Sequence, residues 1–341
     1  MMNCKRIALL SVILPSLISC DAVFPDKTEP APPAVFDELW NSVNQKYVCF
    51  SNRDVDWDAV YRKYRGQIND DMEEDQLFAV LCKLLGELKD GHVSLRKGTR
   101  EWNYWSWRDS SENLSLRLVS LYLGDDVKAS GGMRYNTIRD GLIGYIRYDS
   151  FMDDITDNHV IEVLGRFSDC QGLILDLRKN EGGVSQNLTP LIKYLPCEKE
   201  LFKSYVRHNS IRDDLVEKGI TLKPGIKDES MIWRKPLIVL IDNRSFSASS
   251  IYAMCVKGSE NVRIVGVKTA GGTDTALDCE LSNGWIYRIP SIKFVSRSGM
   301  DYKDGVPPDT EVHLDKEMVK NEDKDSIIEA ACGMLLSWPN R

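Results

Sequence analysis

Three short segments of this chain hold residues able to do nucleophilic chemistry. The first is Asp242-Asn243-Arg244-Ser245-Phe246-Ser247-Ala248, which follows the apolar run PLIVLI at residues 236–241. A buried strand ending at Asp242 and a helix opening near residue 248 set Ser247 at a strand-to-helix turn. The free amides and positive end of such a helix can stabilise an oxyanion beside the hydroxyl. A serine at that place also serves as an ordinary helix N-cap. The second segment, Leu175-Asp176-Leu177-Arg178-Lys179-Asn180-Glu181-Gly182-Gly183, ends a second apolar run in paired glycines. Glycines there either make a tight turn or let backbone amides approach a ligand closely. The third, Asp90-Gly91-His92, puts a histidine just past a predicted helix. In hydrogen-bond contact with Ser247 it would be a general base; otherwise it is a structural histidine.

The elements that must position these residues follow from periodicity. Apolar residues at helical spacing predict helices around residues 36–47, 60–64 and 74–88, a small N-terminal helical subdomain. Trp102, Tyr104, Trp105 and Trp107 then cluster in a stretch that reads equally as a substrate rim or as packing between subdomains. From about residue 140 the rhythm becomes strand and helix in alternation. Strands are predicted at 142–148, 172–177, 236–241, 262–265 and 286–294, with helices at 156–167, 188–195, 248–257 and 326–336. This pattern argues an α/β fold, a mixed sheet covered by helices.

The ordered motifs DGH, LxLDLRxNxGG, SxSA, Val265-Gly266-Val267-Lys268-Thr269 and Gly305-Val306-Pro307-Pro308-Asp309 resemble the carboxyl-terminal processing peptidase superfamily. That group includes the tricorn protease core and the repeats of interphotoreceptor retinoid-binding protein. The resemblance implies a ClpP/crotonase-like α/β core and serine-type endopeptidase activity with no cofactor. Too few residues separate His92 from the strand at 142 for a complete PDZ insertion, so none is expected. Processing peptidases of this group place a lysine 25 residues after the serine; counted from Ser247, that position is Gly272. A Ser–Lys dyad is therefore disfavoured, and Lys268 is not its equivalent. The tricorn-like plan implies Ser247 as nucleophile and His92 as base. An aspartate before Gly305, Asp304 first and Asp301 second, would orient the ring. The amides of Ala248 and of Gly182 or Gly183 would hold the oxyanion. An inactive peptide- or small-ligand-binding lipoprotein on the same fold is the alternative, and another acyl hydrolase a third possibility.

Lys5, Arg6 and an apolar stretch at 7–18 read as an export signal, and Leu17-Ile18-Ser19-Cys20 resembles the lipobox of bacterial lipoproteins. That resemblance implies cleavage before Cys20 and lipidation of its sulfur, which would anchor the chain in the bacterial cell envelope, periplasmic or surface-exposed. The expected organisation is a signal peptide at 1–19, a Pro-rich tether at 20–34, a helical subdomain at 35–98, a connecting segment at 99–139 and the peptidase core at 140–341. With 44 Lys and Arg against 51 Asp and Glu, the net charge of −7 argues against a general nucleic-acid binder. Cleavage would remove Lys5 and Arg6 but no acid, so lipid rather than charge would hold the protein at an anionic surface. The expected partners are a peptide or protein substrate and the membrane. Nine cysteines show no zinc-type spacing, so no structural metal is expected and buried thiols are preferred to disulfides.

Overall fold

The apolar runs at 172–177 and 236–241 form the centre of a seven-stranded sheet. A computed structural model of the chain describes residues 30–105, 113–209, 212, 214–226 and 228–339. Cys20, the leader, most of the tether and Trp107 lie outside the described residues. Strands β3 (Lys128–Ser130), β4 (Met133–Ile138), β5 (Ile143–Tyr148), β6 (Gly172–Asp176), β9 (Leu237–Ile241), β10 (Val262–Gly266) and β13 (Thr310–Glu311) lie in the order β13-β10-β9-β6-β5-β4-β3. The pairs from β13 to β5 are parallel, while β4 and β3 add an antiparallel edge. Both faces are covered, which is why the central strands read as unbroken apolar runs. Leu237, Val239 and Ile241 of β9 pack on the face with α5 (Asp157–Arg166), α6 (Leu188–Tyr194) and α7 (Ala248–Val256). Ile238 and Leu240 point the other way, to α4 (Leu116–Leu123) and α9 (Ser326–Leu336).

A second, antiparallel sheet is threaded from three parts of the chain. It runs β2 (Arg100–Asn103), β1 (Ser94–Lys97), β12 (Ile286–Ser296), β7 (Glu200–Arg207) and β8 (Leu215–Leu222), with β11 (Asp274–Glu280) also paired to β12. The helices α1 (Pro32–Lys46), α2 (Trp57–Arg65) and α3 (Glu74–Gly86) pack on it, burying Phe36, Leu39, Trp57 and Leu81 against Leu95, Trp285, Tyr287 and Ile289. A short helix α8 (Lys316–Asn321) precedes α9.

Several expected boundaries shift. Helix α1 opens at Pro32, inside the expected tether, because the fixed φ of proline suits a first helical turn. The division at 98/99 separates β1 from its partner β2, and that at 139/140 separates β4 from β5. The segment between His92 and β5 supplies strands to both sheets, with no PDZ module among the described residues. Trp102 packs with the N-terminal helical core, and its ring lies 3.6 Å from the site of a Cβ on Gly86. All seven described cysteines are free thiols.

Candidate active site

The site forms where the two sheets meet. β6 and β9 are neighbours in the parallel sheet, so the loops leaving their C-terminal ends converge, the usual place for a ligand site in such sheets. After β9 the chain folds back on itself. Asp242 Oδ1 accepts from the amides of Lys179 (2.8 Å) and Arg244 (3.0 Å), and Ser245 Oγ donates to Leu177 O (2.8 Å). The Phe246 amide donates to Asn180 O and the Ser247 amide to Gly271 O. Ser247 is thereby held at φ 53° and ψ −117°, a sparsely populated conformation for a residue with a side chain. Its hydroxyl makes no helix-capping bond. Instead Ser247 Oγ lies 3.0 Å from His92 Nε2.

The other imidazole nitrogen, His92 Nδ1, lies 2.6 Å from Asp274 Oδ1. His92 sits just before β1 and Asp274 opens β11, and both strands pair with β12. A second aspartate, Asp90, accepts the His92 backbone amide (2.9 Å) and the Tyr47 hydroxyl (2.7 Å). Lys303 Nζ bonds both carboxylates, reaching Asp90 Oδ2 at 2.9 Å and Asp274 Oδ2 at still closer range. Burial alone would raise the Asp274 carboxyl, but the Lys303 ammonium and then His92 hold it well below the usual carboxylate range. Cys49 Sγ, Asp90 and Asp274 gather as closely as metal ligands do, but the Lys303 ammonium already serves both carboxylates.

Asp304 and Asp301, the two acids expected at the imidazole, are elsewhere. Asp304 is largely exposed and pairs with Arg53 at 2.6 Å; Asp301 pairs with Lys293 at 2.7 Å and Asn52 at 2.8 Å. The segment before Gly305 does enter the site, but its inward-facing residue is Lys303. Asp274 was missed because its link to His92 spans 182 residues and two strands, with no local motif to mark it.

Any side chain at position 272 would crowd His92 and Phe246. At φ 71°, a Cβ on Gly272 would stand 3.0 Å from His92 Cε1 and 2.5 Å from the Phe246 ring. Lys268 is exposed and is not among the residues lining the cleft.

Gly182 packs directly against Ser247, whereas Gly183 packs on Phe151 and Met152 and lines the same cleft. A Cβ on Gly182 would stand 2.8 Å from Ser247 Cβ and 3.0 Å from the Ala248 amide nitrogen. The Gly182 amide, however, already donates to Asn180 Oδ1 at 3.0 Å. Asp176 and Arg178 of the same motif are structural. Burial would raise Asp176, but the guanidiniums of Arg178 and then Arg147 hold it at about 2. Arg178 also reaches Asp325 at 2.8 Å, tying the glycine loop to α9. Ser247, His92 and Asp274 open on a cleft of about 530 Å3, walled by Met152, Val184, Phe246, Ile251 and Ala276 with Arg288 among its polar residues. Trp102, Tyr104 and Trp105 do not line it.

Residues 142–312 match Peptidase family S41, and residues 30–86 match the Tricorn protease C1 domain. The chain is 27% identical over 215 residues to the nisin-resistance protein of Lactococcus lactis subsp. lactis, covering 61% of this chain and 65% of that protein. It is 26% identical over 186 residues to the carboxy-terminal processing protease CtpA of Bacillus subtilis, covering 53% of this chain and 37% of the protease. The matches thus span less than two thirds of either relative. A crystal structure of a candidate peptidase from Parabacteroides merdae superposes with a TM-score of 0.83 at 31% identity, covering 91% of this chain and 98% of that one.

Proposed function

Because the chain belongs to peptidase family S41, we propose that it is a serine endopeptidase working through Ser247, His92 and Asp274. The observation that carries this reading is the unbroken chain of contacts, Ser247 Oγ to His92 Nε2 at 3.0 Å and His92 Nδ1 to Asp274 at 2.6 Å. Ser247 Oγ attacks the scissile carbonyl carbon while its proton passes to His92 Nε2. The resulting imidazolium is stabilised by Asp274, which also fixes the Nδ1–H tautomer. The C–N bond breaks as His92 returns the proton to the departing amine. Water, deprotonated by His92, then hydrolyses the acyl-enzyme and frees Ser247.

The oxyanion would be held by the Ala248 amide, which opens α7 where helix amides have no partner within the helix. Gly183 is the better second donor, since the Gly182 amide is committed to Asn180. In known cases one such donor contributes about 3 kcal/mol to the transition state. The cleft's apolar wall suits an unfolded peptide segment. Anchoring through a lipidated Cys20 would confine the substrates to exported peptides and proteins at the cell envelope.

A serine-directed fluorophosphonate probe is expected to label the protein at Ser247, with labelling lost in Ser247→Ala and His92→Ala. An unlabelled wild-type protein that still binds peptides would replace the peptidase with the binding alternative.

A further inference from the structure

Lys303 is a buried cation that the proposed reaction does not itself consume. Its backbone is zipped to the chain leading into Asp274. The Gly272 amide donates to Lys303 O at 3.0 Å, and a Cβ on Gly271 would stand 2.1 Å from that same oxygen. From this fixed root the side chain, 3% exposed, runs between two carboxylates that are themselves buried. Its ammonium meets Asp90 Oδ1 at 3.0 Å, Asp90 Oδ2 at 2.9 Å and, closest, Asp274 Oδ2. Three N–H donors thus face three carboxylate oxygens. Both aspartates also hold His92: Asp274 takes the ring and Asp90 the backbone amide.

Two carboxylates sharing a buried site without a cation cannot both stay ionised; one proton is taken up and shared between them. A protonated Asp274 no longer orients the Nδ1–H of His92. We infer that Lys303 is a positioning residue, clamping Asp90 and Asp274 as a pair of anions so that His92 is gripped at backbone and ring together. This rests on the triad reading and adds to it a fourth, charge-setting member. The other ionisable groups around the cluster are Tyr47, Cys49, Arg53, Lys293, Glu181 and Arg288, and all are left unchanged in the variants below.

The test compares Lys303→Met, Asp90→Asn and the double variant, each read by fluorophosphonate labelling against pH. Lys303→Met is expected to lose about a hundredfold in labelling at neutral pH, with the acidic limb of its profile moved upward, because the shared proton must first be removed. Asp90→Asn keeps the Lys303–Asp274 pair and stays within about tenfold of wild type. The double variant, with one carboxylate left and nothing to repel it, is expected to recover much of the lost rate and the original limb. It also removes the like-charge pair that could unfold Lys303→Met. A double variant slower than either single, or a Lys303→Met profile that falls without moving along the pH axis, would overturn the inference. Nitrogen NMR of the His92 tautomer in the Ser247→Ala background reads the same clamp without turnover. A tautomer unchanged by Lys303→Met there would also overturn it. An unlabelled wild type with a Lys303-dependent tautomer would instead reject only the peptidase reading.

Discussion

Replacing Gly272 by alanine probes how tightly His92 and Phe246 are packed at that position. Two penalties follow from the structure. The backbone at φ 71° disfavours any side chain by about 1–2 kcal/mol. The new Cβ would also sit 2.5 Å from Phe246 and 3.0 Å from His92 Cε1, whereas carbon atoms rest at about 3.5 Å or beyond. Phe246 must retreat by about 1 Å and the imidazole by about 0.5 Å, since their rings are packed at a centroid distance of 4.7 Å. A displacement of that size stretches the 3.0 Å Nε2–Oγ contact to as much as about 3.5 Å, the edge of hydrogen-bond range, and a misplacement of about 1 Å can cost a hundredfold in rate. Fluorophosphonate labelling of Gly272→Ala is therefore expected to slow by roughly 10- to 100-fold, with a melting temperature several degrees lower. Gly284→Ala is the control. Gly284 has φ 79° but no atom within 4 Å of the added Cβ, so it carries the backbone cost alone. It should lower the melting temperature without slowing labelling. A Gly272→Ala protein labelled at the wild-type rate would refute the reasoning, because the imidazole would then have room that the structure denies it.

Other outcomes follow from the same geometry. Asp274→Asn should slow labelling by about 10³- to 10⁴-fold, the scale of losing the group that sets the imidazole tautomer. Asp304→Asn should change it by no more than a few fold, because that carboxylate pairs at the surface with Arg53. Asp176, held at about 2 against an ordinary 3.8, contributes about 2 kcal/mol that is fully present above pH ~4 and lost as pH falls toward 2. Denaturant titrations should show this acid-side slope in wild type and a shallower one in Asp176→Asn. Wild-type protein should fractionate with membranes and Cys20→Ala should not; a soluble wild type with another mature N-terminus would reject the lipid anchor alone.

The parts of the fold that the sequence disclosed are those whose environment is uniform. β6 and β9 are buried on both faces, so continuous apolar runs gave their positions almost to the residue. Helix α9 was equally plain from its periodicity. The hairpin of β7 and β8 was missed because its mixed burial, with Val216, Ile220 and Leu222 exposed, breaks the alternation that marks a half-buried strand. β11 was missed for the same reason. Ser247, His92 and the glycine pair were readable because each sits in a local motif at the end of an element. Asp274 and Lys303 were not, because their significance is a contact made across the second sheet and the turn before Gly305. The family likeness pointed to the turn before Gly305 for the acid, whereas the carboxylate at His92 comes from Asp274 on β11 and that turn supplies Lys303 instead.

The seam between the sheets has a consequence for the order of events in folding. Ser247 hangs from the parallel sheet, while His92 and Asp274 ride on the antiparallel one, and 155 residues separate serine from histidine. Either sheet formed alone carries half of the machinery: a hydroxyl without a base, or a base without a hydroxyl. The two halves are latched only when the linker carrying Gly271 receives the Ser247 amide and Lys303 slots between its aspartates. On the proposed triad reading, the site is complete only when both sheets have docked. A chain in which the two sheets have not docked holds Ser247 and the His92–Asp274 pair apart.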